Sequence, residues 1–125
     1  MLVVEDDAAT REMLRRTLEK EGWKVVEAEN GRVGLEKLDA GIPTMILLDL
    51  MMPEMDGFEF MQALRERPDG RLVPVVVITA KDITVEDRRR LNGQVAKILQ
   101  KGTTSSEELL AELRALAGRE RGAGI

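Results

Sequence analysis

The chain has 125 residues, the usual size of one compact domain, and its 19 basic and 23 acidic side chains give a net charge of −4. This balance argues against a dedicated nucleic-acid surface, which needs clustered positive charge. Because the chain has no cysteine and no histidine, the sequence excludes disulfides, thiolate sites, zinc–histidine clusters and a phosphohistidine within the chain.

Short apolar runs alternate with segments of helical period along the whole chain. In chain order the sequence predicts strand Leu2–Val4, helix Ala8–Glu21, strand Trp23–Ala28, helix Arg32–Ala40, strand Met45–Asp49, helix Phe58–Arg67, strand Pro74–Thr79, helix Thr84–Asn92, strand Lys97–Gln100 and a last helix after Ser105. This alternation predicts a doubly wound α/β fold, a three-layer sandwich with helices on both faces of a parallel sheet. Residues 118–125, GRERGAGI, are typical of a flexible tail or the start of a linker, so we predict one domain over residues 1–117.

Several helix boundaries carry residues that cap helices. Gly22 is suited to end the first helix. Asp56 is suited to begin the third helix, with Gly57 easing the turn before it. Thr84 and Asp87 have the spacing of a capping box at the start of the fourth helix.

Polar side chains stand where four of the predicted strands end. Glu5 and Asp6 follow the first strand, and Asp49, Thr79 and Lys101 stand at the ends of the third, fourth and fifth. In doubly wound sheets, ligands bind outside the carboxyl ends of the strands where the strand order reverses. We therefore predict a single site that contains these five side chains.

The acids at the ends of the first and third strands imply a bound cation. Carboxylates on neighbouring parallel strands would lie about 4.8 Å apart and repel each other. Oxygen ligands with positions left for water and phosphate favour Mg²⁺ over a soft metal or a full Ca²⁺ cage. An ionised Asp49 flanked by the Thr79 hydroxyl and the Lys101 ammonium matches what phosphoryl transfer to an aspartate requires. Since the chain has no histidine, the phosphoryl donor must be another molecule or another domain.

Four motifs together resemble a known family. LVVEDD, LLDLMMPEMDG, VVVITAKD and ILQKG stand in the order and spacing of a response-regulator receiver domain of two-component signalling, a member of the CheY-like superfamily. The resemblance covers nearly all of the chain. It implies a flavodoxin-like (βα)5 fold with a five-stranded parallel sheet of order 2-1-3-4-5. It also implies a signalling phosphoacceptor that is not an enzyme, beyond assisting its own phosphorylation and dephosphorylation.

The resemblance assigns a role to each residue of the predicted site. It implies that Asp49 is the phosphoacceptor, Thr79 the switch hydroxyl, Lys101 the phosphate-contacting lysine, and Glu5 and Asp6 the acidic pair. Mg²⁺ would be held by Asp6 and Asp49 directly, by Glu5 through water, and by the backbone carbonyl of Met51. The implied partners are a histidine kinase or a histidine phosphotransfer domain as donor, and an output domain or partner protein whose nature the sequence does not specify.

The chain departs from the family pattern at two positions. Ile98 stands three residues before the lysine, where the family usually has an aromatic side chain that turns inward on activation. Gly102 follows the lysine where the family usually has proline, so the placement of Lys101 must depend on a backbone conformation that glycine permits. Met51 and Lys81, which border the phosphoryl site in this family, favour a slowly hydrolysed phosphoryl group.

Other interpretations fit parts of the sequence less well. A pseudo-receiver would keep the fold and serve as a protein-binding module without phosphorylation, but such a module would be expected to lose part of the site. An unrelated nucleotide or flavin protein would need a glycine-rich loop after the first strand, where EDDAAT stands instead. Asp49 alone would suit a turn cap, and Pro53 argues against a calcium loop over Glu54–Gly57.

The sequence also predicts where the protein resides. No apolar segment approaches the ~20 residues that cross a bilayer, and no signal-peptide pattern opens the chain. We therefore expect a cytoplasmic protein with no membrane partner. The first strand begins next to Met1 and the end resembles a linker, which is consistent with a domain from a longer chain such as a hybrid kinase or multidomain regulator.

Overall fold

The computed structural model describes the backbone of residues 1–123 and the side chains of residues 1–117. Within this part of the chain, strands and helices alternate as β1 (Leu2–Val4), α1 (Ala8–Lys20), β2 (Val26–Ala28), α2 (Gly31–Ala40), β3 (Ile46–Leu48), α3 (Gly57–Glu66), β4 (Val75–Thr79), α4 (Val85–Leu91), β5 (Lys97–Gln100) and α5 (Ser106–Ala123). The strands form one parallel sheet in the order β2-β1-β3-β4-β5. The predicted doubly wound fold and its strand order are therefore confirmed.

Two apolar cores lie on opposite faces of the sheet. One packs the sheet against α1 and α5 and includes Val3, Leu14, Leu18, Leu47, Val76, Ile78, Leu109 and Leu113. The other packs it against α2, α3 and α4 and includes Leu2, Val4, Leu38, Ile46, Leu48, Phe60, Leu64, Val75, Val77 and Leu91. Because neighbouring residues of a strand point to opposite faces, β1 and β3 are apolar at every position and β4 at every position before Thr79. Polar groups are left to the strand ends.

The second strand is shorter than the sequence predicts. It begins at Val26, whereas the apolar pattern predicted a strand from Trp23. This segment lies at the edge of the sheet and pairs with β1, from Leu2 opposite Val26 to Val4 opposite Ala28. Since β1 has 3 residues, the rest of the segment finds no strand to pair with. The other predicted boundaries differ from the observed ones by at most one residue, apart from the end of α5.

The helix caps are mostly those that the sequence predicts. Gly22 follows α1 with a left-handed φ of +93°, which glycine adopts without strain. Asp56 and Thr84 begin α3 and α4 with complete capping boxes. Asn30 is a cap that the sequence did not predict: its side chain accepts a hydrogen bond from the backbone N–H of Val33 at 2.8 Å and so caps α2.

The last helix continues beyond the predicted end of the domain. It is helical through Ala123, so the segment predicted as a tail from residue 118 is helix as far as the backbone is described. Residues 124–125 of that predicted tail lie outside the described residues. The domain boundary at residue 117 stays a prediction. None of the described helices is long and apolar enough to pass through a bilayer.

Arg65 of α3 joins two loops at the end of the sheet opposite the polar strand ends. One guanidinium nitrogen donates to the carbonyls of Gly70 at 2.8 Å, Arg71 at 3.1 Å and Val73 at 2.9 Å. The other nitrogen donates to the carbonyl of Gln94, in the loop between α4 and β5. A planar guanidinium with five N–H donors can bind several carbonyls at once. This set of bonds, which we term the Arg65 clamp, holds the loop that follows α4 against α3.

Gly57 is required by a close approach of two backbone segments, and not by the turn that the sequence suggested. A Cβ at this position would lie 2.6 Å from the Asp49 carbonyl oxygen and 2.6 Å from Leu50 Cα. Both are backbone atoms, so neither can move aside without shifting the segment that carries the site. We expect Gly57→Ala to lower the free energy of unfolding by about 1–3 kcal/mol, measured by urea unfolding.

Gly41→Ala is the matched control for this prediction. A Cβ at Gly41 would meet no atom within 4 Å. Its φ of 165° is extended backbone that alanine adopts, so we expect a change within about 0.5 kcal/mol. Equal losses in the two variants would contradict the close-approach explanation.

Candidate functional site

Glu5 and Asp49 lie side by side at the carboxyl end of the sheet. Val4 of β1 pairs with Leu48 of β3, so the next residue of each strand is a carboxylate. The Asp49 N–H donates to the Val4 carbonyl at 3.1 Å, which continues the ladder past the end of the strand. Both acids are buried, with 1% of Glu5 and 4% of Asp49 exposed. The backbone pairing therefore forces two carboxylates together in a poorly solvated place.

Lys101 supplies positive charge between these two acids. Its ammonium contacts Glu5 Oε1, and it lies 3.0 Å from Asp49 Oδ2. The Lys101 backbone N–H donates to the Thr79 carbonyl at 2.8 Å, which fixes the start of the loop after β5. Gly102 follows with a φ of +85°, in the left-handed region that glycine favours. Gly102 thus has the glycine-permitted conformation that the sequence predicted, while the dependence of the Lys101 placement on it stays a prediction.

The remaining oxygens of the two acids are also held. Asp49 Oδ1 accepts a hydrogen bond from the Met51 backbone N–H at 3.2 Å. Glu5 Oε2 accepts one from the Asp7 N–H at 3.4 Å. These bonds fix the planes of both carboxylates, so the acids are oriented as well as buried.

Arg11 supports the site through a contact that the sequence did not predict. Its guanidinium donates to the Glu5 backbone carbonyl at 2.8 Å, where β1 passes into α1. The signal in the sequence was weak, because a basic residue in the first turns of a helix usually faces solvent. This contact depends on how α1 packs on the sheet.

Burial and the neighbouring charges shift the pKa values of Glu5 and Lys101. Burial raises the pKa of Glu5, the nearby Asp49 raises it further, and the hydrogen bond to Lys101 lowers it, with a net value of about 7. Burial alone would lower the pKa of Lys101, but its hydrogen bonds to Glu5 and Asp49 outweigh burial and raise it. The site therefore favours a charged lysine and resists two ionised acids unless more positive charge is present.

Three acids at this edge can hold a metal ion. Glu5, Asp6 and Asp49 each offer a carboxylate oxygen, and these atoms lie within 4.8 Å of one another. Asp6 is exposed whereas the other two acids are buried, so the group is open to solvent on one side. Hard oxygen ligands with room for water and phosphate oxygens fit Mg²⁺. The role of the Met51 carbonyl as a further ligand stays a prediction.

Thr79 and Lys81 lie at the same edge of the sheet. Thr79 ends β4 and is fully buried, and its hydroxyl oxygen accepts a hydrogen bond from the Lys81 backbone N–H at 3.2 Å. A cavity of about 420 Å³ opens at this edge of the sheet, and its lining includes Asp6, Met51 and Lys81. The structure thus brings all five predicted side chains to one end of the sheet.

The chain is similar over most of its length to a known protein family. The family described as the response regulator receiver domain matches residues 1–114. The chain belongs to this family. The resemblance inferred from the four motifs is therefore confirmed, and it covers nearly the whole chain.

Curated relatives of this receiver domain include response regulators from mycobacteria. Response regulator MprA of Mycolicibacterium vanbaalenii is 40% identical over 119 residues, which cover 95% of this chain and 50% of that protein. Response regulator MprA of Mycobacterium ulcerans is 40% identical over 121 residues, which cover 97% of this chain and 51% of that protein. The chain thus spans about half the length of these relatives.

Solved receiver structures have the same fold. Chemotaxis protein CheY4 of Vibrio cholerae is 30% identical with a TM-score of 0.83, covering 91% of this chain and 94% of that chain. The receiver domain of a signal transduction histidine kinase from Syntrophus aciditrophicus is 31% identical with a TM-score of 0.82, covering 94% of this chain and 89% of that chain. These similarities agree with the observed strand order.

Removing the Lys101 charge tests whether the acids depend on it for stability. We expect Lys101→Met to lower the free energy of unfolding by up to about 3 kcal/mol in metal-free buffer, because buried carboxylates would lose their compensating cation. Lys97→Met, at the start of the strand that precedes Lys101, is the matched control, since the Lys97 side chain is 48% exposed and lies 3.8 Å from Glu112. The control should lose less than about 1 kcal/mol. Similar losses in both variants, measured by urea unfolding, would mean that Lys101 does not compensate the acids.

Proposed function

We propose that this receiver domain accepts a phosphoryl group on Asp49 from a phosphohistidine of a histidine kinase or a histidine phosphotransfer domain. The observation that supports this most strongly is the setting of Asp49, whose two oxygens bond to the Met51 amide and the Lys101 ammonium. A carboxylate held only as a turn cap would not need a partly buried lysine and two more acids around it.

The transfer would replace one bond to phosphorus with another. An oxygen of Asp49 attacks phosphorus in line, and a P–O bond forms as the P–N bond of the phosphohistidine breaks. The electron pair of the broken bond stays on the imidazole nitrogen, which takes up a proton. The product on this chain is an acyl phosphate at Asp49.

The residues around Asp49 act on the transferred group. The Met51 amide holds one carboxylate oxygen so that the acid keeps its orientation. Lys101 lies against the other oxygen and would neutralise charge on the phosphoryl oxygens as they arrive. The Thr79 hydroxyl would donate a hydrogen bond to the new group once it is in place.

Glu5, Asp6 and Asp49 would hold Mg²⁺, which when bound neutralises phosphoryl charge and keeps the acceptor carboxylate ionised. Transfer adds roughly −1.5 to −2 charge to a site that already contains buried acids. The surrounding loops then have to rearrange, and an output domain or partner protein would respond to the changed surface. We place this activity in the cytoplasm and assign the domain no nucleic-acid or membrane partner.

We expect Asp6 to contribute to Mg²⁺ binding and its neighbour Asp7 to contribute little. Asp7 caps α1 by accepting the Thr10 N–H at 2.9 Å, a role that asparagine can keep. We expect Asp6→Asn to weaken Mg²⁺ binding at least tenfold, because even the loss of a group that only supports a metal ligand weakens binding by about 10–100-fold. Asp7→Asn should have a much smaller effect. Calorimetric titration at constant ionic strength measures both. Equal losses of Mg²⁺ affinity in the two variants would indicate that Asp6 contributes only general negative charge and is not a metal ligand.

A small-molecule phosphodonor with Mg²⁺ tests the acceptor directly. We expect the intact mass to rise by one phosphoryl group in the native chain and in Asp56→Asn, a control that keeps the α3 cap in the same loop. We expect no rise in Asp49→Asn. A rise that survives Asp49→Asn would contradict the acceptor assignment. No rise in the native chain would favour the alternative of a pseudo-receiver that binds proteins without phosphorylation.

A further inference from the structure

Lys81 is bound to the first turn of α4. Its ammonium lies 2.7 Å from Asp87 Oδ2, and the side chains are 33% and 9% exposed, respectively. The same oxygen accepts the Thr84 N–H at 3.1 Å, and the Asp87 N–H donates to the Thr84 hydroxyl at 3.0 Å. The hydrogen bond from Lys81 holds the pKa of Asp87 below its usual value. Lys81 is therefore attached to the capping box that begins α4.

Lys81 also lines a cavity at the candidate site. This cavity, of about 420 Å³, is also lined by Asp6, a predicted Mg²⁺ ligand, and by Leu50 and Met51, the two residues that follow Asp49. Its backbone N–H donates to the Thr79 hydroxyl at 3.2 Å. One residue thus contacts the predicted switch hydroxyl through its backbone and α4 through its side chain.

A phosphoryl group on Asp49 would compete with Asp87 for this lysine. It brings roughly −1.5 to −2 charge and three strong acceptor oxygens, whereas Asp87 offers one negative charge. Lysine carries a compact ammonium on a flexible four-carbon stem, so it can change partners without moving its backbone. Asp87 would keep its capping bond to Thr84 after losing Lys81, so the exchange leaves no buried acid without a partner.

We propose that Lys81 exchanges Asp87 for the phosphoryl group on Asp49, and that this exchange loosens the first turn of α4. The inference rests on the proposed function, because it requires a phosphoryl group at Asp49. It offers a route from the site to α4 in a chain whose Ile98 cannot act as an aromatic switch. Lys81 thereby becomes a phosphoryl-contacting residue and Asp87 its resting partner.

Beryllofluoride, a tetrahedral stand-in for the phosphoryl group, tests the exchange in the intact chain. With Mg²⁺ present, we expect Lys81→Met to weaken its binding by about two- to fivefold, the range of a partly exposed ion pair. Asp87→Asn should tighten binding by a similar factor, because it frees Lys81. The tightening should vanish when Asp87→Asn is combined with Lys81→Met. Fluorine NMR titration measures the affinities, and thermal unfolding checks that each variant is folded.

Glu86→Gln is the matched control for the change in charge. Glu86 precedes Asp87 in the same helical turn, and its nearest cation is Arg89 at 3.5 Å. If Asp87→Asn tightens binding no more than Glu86→Gln does, the exchange is overturned while the proposed function stands. If the native chain does not bind beryllofluoride at all, the proposed function fails and the exchange fails with it.

Amide exchange supplies a second, independent readout. In the native chain we expect beryllofluoride to speed exchange at residues 85–88 by about two- to fivefold, the factor expected for loss of the ion pair. In Lys81→Met those amides should exchange faster at the start and respond little to the ligand. Unchanged or slower exchange in the liganded native chain would overturn the loosening of α4.

Discussion

Glu5 and Asp49 are buried next to each other because the strands that carry them are hydrogen-bonded neighbours in register. The pairing that builds the centre of the sheet thus places two like charges in a region of poor solvation. Such a pair is unfavourable unless a cation lies between the acids. Lys101 meets this need, and it reaches the acids because Gly102 allows the turn after β5. The pairing of the strands therefore creates the charge repulsion that Lys101 has to offset.

The three acids of the site differ in their exposure to solvent. Glu5 and Asp49 are covered by the strand ends and helices, so their positions are set by packing and backbone hydrogen bonds. Asp6 faces solvent one residue along the chain from Glu5, where a hydrated ion or a phosphate can approach. An arrangement of this kind keeps Asp49 rigid and leaves the solvent side of the site open. It suits the proposed transfer, in which a large donor delivers a small group.

The sequence predicted the parts of the molecule that depend on local pattern. Apolar strands and the polar residues at their ends follow from periodicity, so the sheet and its charged edge were foreseen. The length of β2 was not, because it depends on the three residues that β1 offers as partners. Contacts that depend on how helices pack were also missed, including Arg11 with the Glu5 carbonyl and Lys81 with Asp87. Spacing along the chain does not reveal which groups of separate strands, loops and helices will come into contact.

The Arg65 clamp has a geometric consequence for α4. The clamp binds the Gln94 carbonyl just beyond the C-terminal end of that helix, whereas Lys81 holds its first turn. If the first turn is released while the far end stays bound, the helix pivots and does not slide. Seven residues of helix are about 10 Å long, so a displacement of about 2 Å at the free end tilts the axis by roughly 10°. A partner protein would then detect a change in the tilt of α4, and the point about which α4 turns would be set by Arg65 on α3.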